Sequence, residues 1–396
     1  MNATSPRLPL LLGFIAAVGP LSTDMYLPAF PVIEASFGAV AGAAQITLAS
    51  WFAGLAVGQI TQGTLSDRFG RRVPLMSGLL IYSVACAGCA LAPNLTALTI
   101  FRAIAAFGGS ASMVLPRAMV RDVAEGHAAA RLMSQLMLVM GAAPILAPGL
   151  GGAMLGVASW HAIFWFAAAH GFVSLLLVWR LLPETLPRDR RLRLRLPGLI
   201  TRYGTVVRER VFLSHAGIGA FSLFALFAYI SGSPPVYIGH YGLSAPACGA
   251  LVGVCSAGFI VGSQINPRLI ARFGMGQVMR TCLRIFLGGA IVLAAFAFLG
   301  GLGVWSVAGP VIICTTSMGL VLPNATVGAL SRQGANAGSA SALMGTIQFI
   351  LAAIAGSLVG IMTDGSARPM AVLMMVGALC AVVIDWRRTI PGIPRP

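Results

Sequence analysis

Twelve stretches of the chain are apolar for long enough to cross a bilayer, and the polar positions gather in the breaks between them. A spanning helix needs about 20 mostly apolar residues. Runs of that kind cover 8–30, 44–65, 73–92, 97–119, 132–156, 161–182, 212–231, 246–267, 278–299, 304–323, 338–362 and 369–386. They lack the one-sided stripe of a helix half immersed in water. The breaks carry Gly, Pro, Asn, Asp and Arg, as turns do. The pattern predicts an all-helical integral membrane protein with twelve transmembrane helices. The first run is expected to be a span and not a cleaved leader, because it continues through Asp24 and two prolines with no small-residue cleavage site at the right distance.

Composition agrees. Of 396 residues 9% are charged, against roughly 25% in a soluble domain, and mean hydropathy is +0.89. In a soluble protein the formal charge of +16 would suggest nucleic acid; here its placement decides. All 26 basic residues are arginine. With twelve spans, Arg68, Arg71, Arg72, Arg117, Arg121, Arg131, the eight arginines of 188–210, Arg268, Arg272, Arg280, Arg284, Arg332, Arg387, Arg388 and Arg395 fall on one side. The other side keeps Arg368, with Arg102 just inside a run. Dropping one run would scatter the arginines to both faces. Basic loops stay in the cytoplasm, so both termini are expected on the cytoplasmic side of the membrane. Lipid then accounts for the charge and no nucleic-acid partner is implied. The seven cysteines are scattered through apolar runs and make no disulfide framework. Cys86 and Cys89 have redox or metal spacing, but they lie mid-span with no second pair, and read as small packing residues.

The polar exceptions inside the runs carry the candidate chemistry. The stretch from Pro20 to Pro31 closes the first run and holds one carboxyl, Asp24. An ionisable group in hydrocarbon is expensive and marks a functional site by default; the competing reading is an acid at a helix end that snorkels to the headgroups. Pro28 has no N–H, so the Asp24 carbonyl loses its i+4 donor, and Pro31 does the same to Leu27. Asp24 lies about 24 Å along the first run and Arg102 about 8 Å below the far boundary on the fourth, at 1.5 Å per residue. In a core about 30 Å thick the two sit at nearly one depth, close enough to pair directly or through water. Tyr26 in the same stretch, and Asn324 and Gln348 in later runs, are further cavity candidates. His170 and His215, in or beside apolar runs, fit packing roles better than proton carriage.

The segment 183–211 is the long charged connection, and its alternating arginines suit an anionic lipid surface. It divides the chain into 1–182, 183–211 and 212–396, two six-span halves around a basic cytoplasmic linker. Gly63-x-x-x-Asp67 and Gly262-x-x-x-Asn266 fall about half a chain apart, as parallel repeats around a midplane site would place them.

The second break reads Gly63-Thr-Leu-Ser-Asp67-Arg68-Phe-Gly70-Arg71-Arg72. It resembles the signature loop of the major facilitator superfamily, G-x-x-x-D-R-x-G-R-R, in its expected place between spans 2 and 3. In physical terms Gly63 allows close helix approach, Gly70 a tight turn, and Asp67 an ion pair that breaks as the halves rock. The stretch from Asp24 to Pro31, Gln45 to Leu48, Ser159 to Trp165, and Pro183-Glu184-Thr185-Leu186 resemble the Bcr/CflA-type drug-resistance transporters, a twelve-span drug:proton antiporter group. The likeness thins in the second half, where 337–341 is its best piece. The resemblance implies the two-half major facilitator fold. It makes Arg102 the span-4 arginine tied to proton coupling, although Ala105 and Ala106 depart from that motif. Pro144, Pro148, Gly151 and Gly152 match the span-5 antiporter motif, with Ala147 in place of its first glycine, and span 8 is the implied partner. Arg117, Arg121 and Asp122 at the end of run 4 are candidates for an inner-side network with Asp67, or a solvated helix end.

There is no Walker loop, zinc spacing or nucleophile–base pair, so neither an enzyme nor a cofactor or metal is expected. The expectation is export of small, partly apolar compounds by a monomer driven by the proton gradient. Burial would oppose ionisation of Asp24 and a nearby Arg102 would favour it. A proton-linked transporter of a nutrient-like solute is the alternative. A non-transporting sensor ranks below both, for want of an output domain.

Overall fold

The computed structural model describes residues 7–124, 132, 136, 143, 146–188, 191, 203–300, 303–333 and 337–388. Pro144, the side chain of Arg121 and residues 189, 190 and 192–202 of the linker lie outside the described residues. Helices follow the apolar runs in order. They are α1 (Leu8–Ser36), α2 (Gln45–Phe69), α3 (Arg72–Ala90) and α4 (Leu95–Val123), then α5 (Leu146–Val157) and α6 (His161–Leu181). After the linker come α7 (Arg210–Pro234), α8 (Ala245–Phe273), α9 (Met275–Leu299), α10 (Trp305–Leu330), α11 (Ala337–Met362) and α12 (Arg368–Arg387). Among the described residues ten are long and apolar enough to cross a membrane. The other two are α2, which carries Gln45, Ser50, Gln59, Thr61, Gln62 and Ser66, and α5, described from Leu146 onward. α2 tolerates that polarity because it is wrapped by protein, packing between α4 and α11.

α1 breaks where its prolines demand. Helical segments Arg7–Ala16 and Val18–Asp24 are followed by a 3-10 turn, Leu27–Ala29, and a last segment, Phe30–Ser36. Pro20 removes the donor for the Ala16 carbonyl and Pro28 that for Asp24, and a helical segment ends at each place. The ladder resumes in the tighter register, with the Ala29 N–H donating to the Tyr26 carbonyl at 2.9 Å. Side-chain caps finish several ends. Glu34 accepts from the Gly42 and Ala44 N–H groups, both at 2.9 Å, at the start of α2. Glu209 takes those of Val211 and Phe212 at 3.0 and 2.7 Å at the start of α7.

The packing repeats with a shift of six helices. α2 packs on α4, α3 on α4 and α3 on α6; likewise α8 on α10, α9 on α10 and α9 on α12. The repeat's register differs from the one the Gly63/Gly262 pairing suggests. The glycine equivalent to Gly262 is Gly58: added Cβ atoms would meet the Thr316 and Phe107 carbonyls of the paired helix. Gly54 and Gly258 match in the same way, whereas Gly63 has open space around it. Close approach of α2 and α4 therefore comes at Gly54 and Gly58, one to two turns before the signature loop. Gly70 and Gly274, with φ of +91° and +78°, then make the same turn after α2 and α8.

The two sets of six meet along α2–α11 and where α1 touches α7 and α8. Thr346 donates to the Ala56 carbonyl at 3.0 Å across the α2–α11 seam.

Candidate functional site

Arg102 is 1% exposed and sits deep among the first six helices. Its guanidinium carbon lies 4.1 Å from the ring centre of Tyr26, 4.4 Å from Trp51 and 5.8 Å from Phe164. One end donates to the Ser22 carbonyl at 2.9 Å. Tyr26 is pinned in turn. Thr47 donates to the Ala44 carbonyl at 2.7 Å, so the Tyr26 hydroxyl supplies the proton of its 3.0 Å bond to Thr47. Thr47 and Trp51 stand four residues apart on one face of α2, the first bonded to Tyr26 and the second stacked on the guanidinium. Tyr82 of α3 holds the Ser22 hydroxyl from the other side.

Energetics say whether this arginine needs a carboxylate. A desolvated cation–π contact contributes about 2 kcal/mol, and a hydrogen bond from a charged group about 1.5–3 kcal/mol. Two close rings and the Ser22 carbonyl offset much of the cost of burying the guanidinium, while its Nε and Nη2 stay without a hydrogen-bond acceptor. Among the described residues no carboxylate pairs with Arg102.

The direct Asp24–Arg102 pair suggested by their common depth is not formed. The ion pairs of the described residues involve Arg71, Arg191, Arg280 and Arg388. The reason is rotational. Ser22 and Tyr26 share the face of α1 turned to Arg102, and Asp24 between them lies about 200° around the helix from each. Asp24 is 7% exposed, and among the described residues its carboxyl has neither hydrogen-bond nor ion-pair partner.

At the arginine-rich end the signature loop is a closed polar knot. Arg71 pairs with Asp67 at 2.6 Å and Asp122 at 2.8 Å and donates to the Ser66 hydroxyl at 2.8 Å. Burial works against its charge, but the bonds and charges of Asp122 and Asp67 outweigh it and raise its pKa. Thr185 donates to Asp122 at 3.1 Å. Glu184 accepts the N–H groups of Arg71 and Arg72 at 2.7 and 3.3 Å, capping α3 from beyond α6. Arg72 reaches the Trp179 carbonyl, while Arg68 lies over the Phe69 ring. A cavity of about 130 Å³ opens beside the knot, lined by Gly63, Asp67, Arg71 and Arg117 and by Gly338 and Ser339 of α11. Tyr203, in the linker, closes one wall; burial raises its hydroxyl above the ordinary value against a hydrogen bond to Thr64.

Asp67 and Asp122 come together on Arg71 rather than on Arg117 or Arg121, the arginines considered for that network; Arg117 lines the adjoining cavity and the Arg121 side chain lies outside the described residues. The span-5 residues pack at the opposite end. Gly151 lies against the Met25 carbonyl, Gly152 against that of Ala245 on α8, and Gly249 of α8 against that of Pro148. Asn324 is tied up in a reciprocal amide pair with Asn266, at 2.9 and 3.3 Å, that joins α10 to α8. That bonding makes it helix glue. Gln348 is half-buried beside Gly219 of α7. His215 bridges the Val211 carbonyl at 2.8 Å and Arg388 at 2.7 Å, a packing role. Sequence reasoning missed Trp51, Phe164 and Ser22. The one signal was Thr47 and Trp51 at helical spacing on an unusually polar span.

The sequence matches the family model of the Major Facilitator Superfamily over residues 12–357. The chain belongs to that superfamily. An uncharacterised MFS-type transporter, YdgK of Bacillus subtilis, is 37% identical over 378 residues, covering 93% of this chain and 92% of that one. A bicyclomycin resistance protein homolog of Haemophilus influenzae is 31% identical over 376 residues, covering 94% and 93%. In fold the transporter is similar to a bacterial homolog of the human lysosomal transporter Spinster, with a TM-score of 0.73 at 17% identity over 96% of this chain and 95% of that one. The twelve-helix fold expected from the signature loop is therefore that of its relatives. As a multi-pass member of this superfamily the protein moves a small molecule through a membrane.

Proposed function

We propose that this transporter exports small, partly apolar toxic compounds across the bacterial cytoplasmic membrane in exchange for protons. Full-length similarity to a bicyclomycin resistance protein homolog supports the substrate class. The observation that carries the coupling is Asp24: buried, and without a partner among the described residues. A carboxylate so placed is costly, and the cost is relieved by taking up a proton or meeting a cationic ligand. Arg102, settled in its aromatic box, leaves that exchange to Asp24.

The arginine-rich end then faces the cytoplasm with both termini. The segments 1–182 and 212–396 rock as units joined by 183–211. The knot around Arg71 gives the first set a fixed cytoplasmic face for α11 to close on, while the α5–α8–α1 glycine contacts seal the outer end. The protein works as a monomer, without a cofactor, on the proton gradient alone.

The test uses a host lacking its own pumps. Wild-type protein is expected to protect growth on bicyclomycin and a panel of apolar antibiotics and to lower drug accumulation until a protonophore is added. Asp24→Asn is expected to lose export. Normal export by Asp24→Asn removes the coupling role. A panel left wholly untouched by the wild type turns the assignment to a nutrient-like solute.

A further inference from the structure

The helical segment that presents Asp24 ends at Asp24 itself, and its last carbonyls need donors. The Met25 N–H still reaches the Leu21 carbonyl at 3.1 Å. One residue on, at Ser22, the guanidinium of Arg102 from α4 donates instead. A cation there also meets the negative end of the segment's dipole. Arg102 is thus a cap for the break in α1, two residues before the carboxyl.

A long side chain holds such a position only if its head is fixed. The fixing is done by ring faces: Nε and Nη2 of Arg102 are buried without a hydrogen-bond acceptor, and Tyr26, Trp51 and Phe164 cover them. Tyr26 belongs to the break itself and Phe164 stands farthest away. Trp51 is the close wall that comes from another helix, fully buried on α2.

α2 is also the helix that meets α11 along the seam between the two sets of six. Its bonds there lie on both sides of Trp51. An added Cβ on Gly360 of α11 would come 3.1 Å from the Gln45 Cβ, and Thr346 holds the Ala56 carbonyl. Trp51 itself lies between these contacts along α2, on the face turned to Tyr82 and Arg102.

We infer that Trp51 is a positioning residue for Asp24: it holds Arg102 on the Ser22 carbonyl, where the cation caps the break that the prolines open in α1, and so keeps Asp24 turned away from the guanidinium. Arg102 acts on the carboxyl through the backbone of α1 and not as its ion-pair partner. This rests on Asp24 as the proton carrier, and the experiment reads its protonation without any transported compound, so it stands or falls apart from the export assignment.

In the purified full-length protein in lipid, the infrared carboxyl band removed by Asp24→Asn is followed across pH. Trp51→Phe, which keeps a ring face, is expected to leave the midpoint of that band in place. Trp51→Leu frees the guanidinium to turn toward the carboxyl two residues from its present partner. The expected result is a midpoint lower by about one pH unit, the effect of an opposite charge brought within reach. Phe164→Leu moves it the same way by less, and serves where Trp51→Leu does not fold. A midpoint unchanged or raised in the leucine variants overturns the inference. So does an equal shift in Trp51→Phe.

Discussion

Single side chains in this transporter divide into those that hold it together and those whose charge has work to do. Asn324 and Asn266 belong to the first kind: two amides satisfy each other between α10 and α8, with the Leu320 carbonyl as a further acceptor at 2.9 Å. Interhelical hydrogen bonds of this sort average about 0.6 kcal/mol and reach about 1.7, whereas stranding one buried partner costs about 1–3 kcal/mol. Asn324→Leu is therefore expected to lower stability in detergent unfolding by about 1–2 kcal/mol, and the double variant Asn266→Leu/Asn324→Leu to recover most of it. A double variant no more stable than either single would show that the two amides do not satisfy each other. Arg102 and Asp24 are the second kind. Depth along two helices is readable from a sequence, since it needs only the rise per residue. The angle around each helix is not, because breaks at Pro20 and Pro28 reset it locally. Hence the common depth of Asp24 and Arg102 could be read while their separation by a helix's width could not.

At the scale of helices, backbone carbonyls set the contacts. A Cβ at Gly151 would run into the Met25 carbonyl, while one at Gly149, on the same helix, meets nothing within 4 Å. Gly151→Ala is expected to cost about 1–3 kcal/mol, as overpacking against a rigid wall does. Gly149→Ala is expected to be neutral or to gain up to about 1 kcal/mol of helix propensity. Thermal unfolding of the two variants side by side checks this; equal melting points would mean that α5 does not bear on α1. The helices themselves were legible because a hydrocarbon solvent demands some twenty apolar residues per crossing. α2 was legible in spite of its glutamines because its neighbours in sequence fixed the count and the arginine asymmetry. What hid was the partner of each glycine: Gly63 stands in the recognisable motif, yet the close packing falls to Gly54 and Gly58. Glu184, too, gave no sign in sequence that it caps a helix begun more than a hundred residues earlier.

Across the whole molecule, alternating access requires the α2–α11 seam to part at the end remote from the arginine-rich loops. Gly360 and Gln45 face each other there, with 3.1 Å between an added Cβ and the Gln45 Cβ and 2.8 Å to the Gly42 carbonyl, short of the roughly 3.5–4.5 Å of a disulfide, so the bridge forms as the seam loosens slightly. In a background without the native cysteines, Gln45→Cys/Gly360→Cys is expected to cross-link on oxidation and stop transport, and reductant is expected to restore it. Full transport by the quantitatively cross-linked protein would show that this seam stays closed through the cycle. The knot at the other end has a consequence for how the protein is made. Asp67, Arg71, Asp122, Glu184 and Arg191 all precede the later six helices in the chain. The ribosome has therefore supplied every member of the knot before it begins α7. The first six helices can neutralise their own charges at the cytoplasmic surface while the rest is still being synthesised, and the second set then inserts beside a partner already assembled.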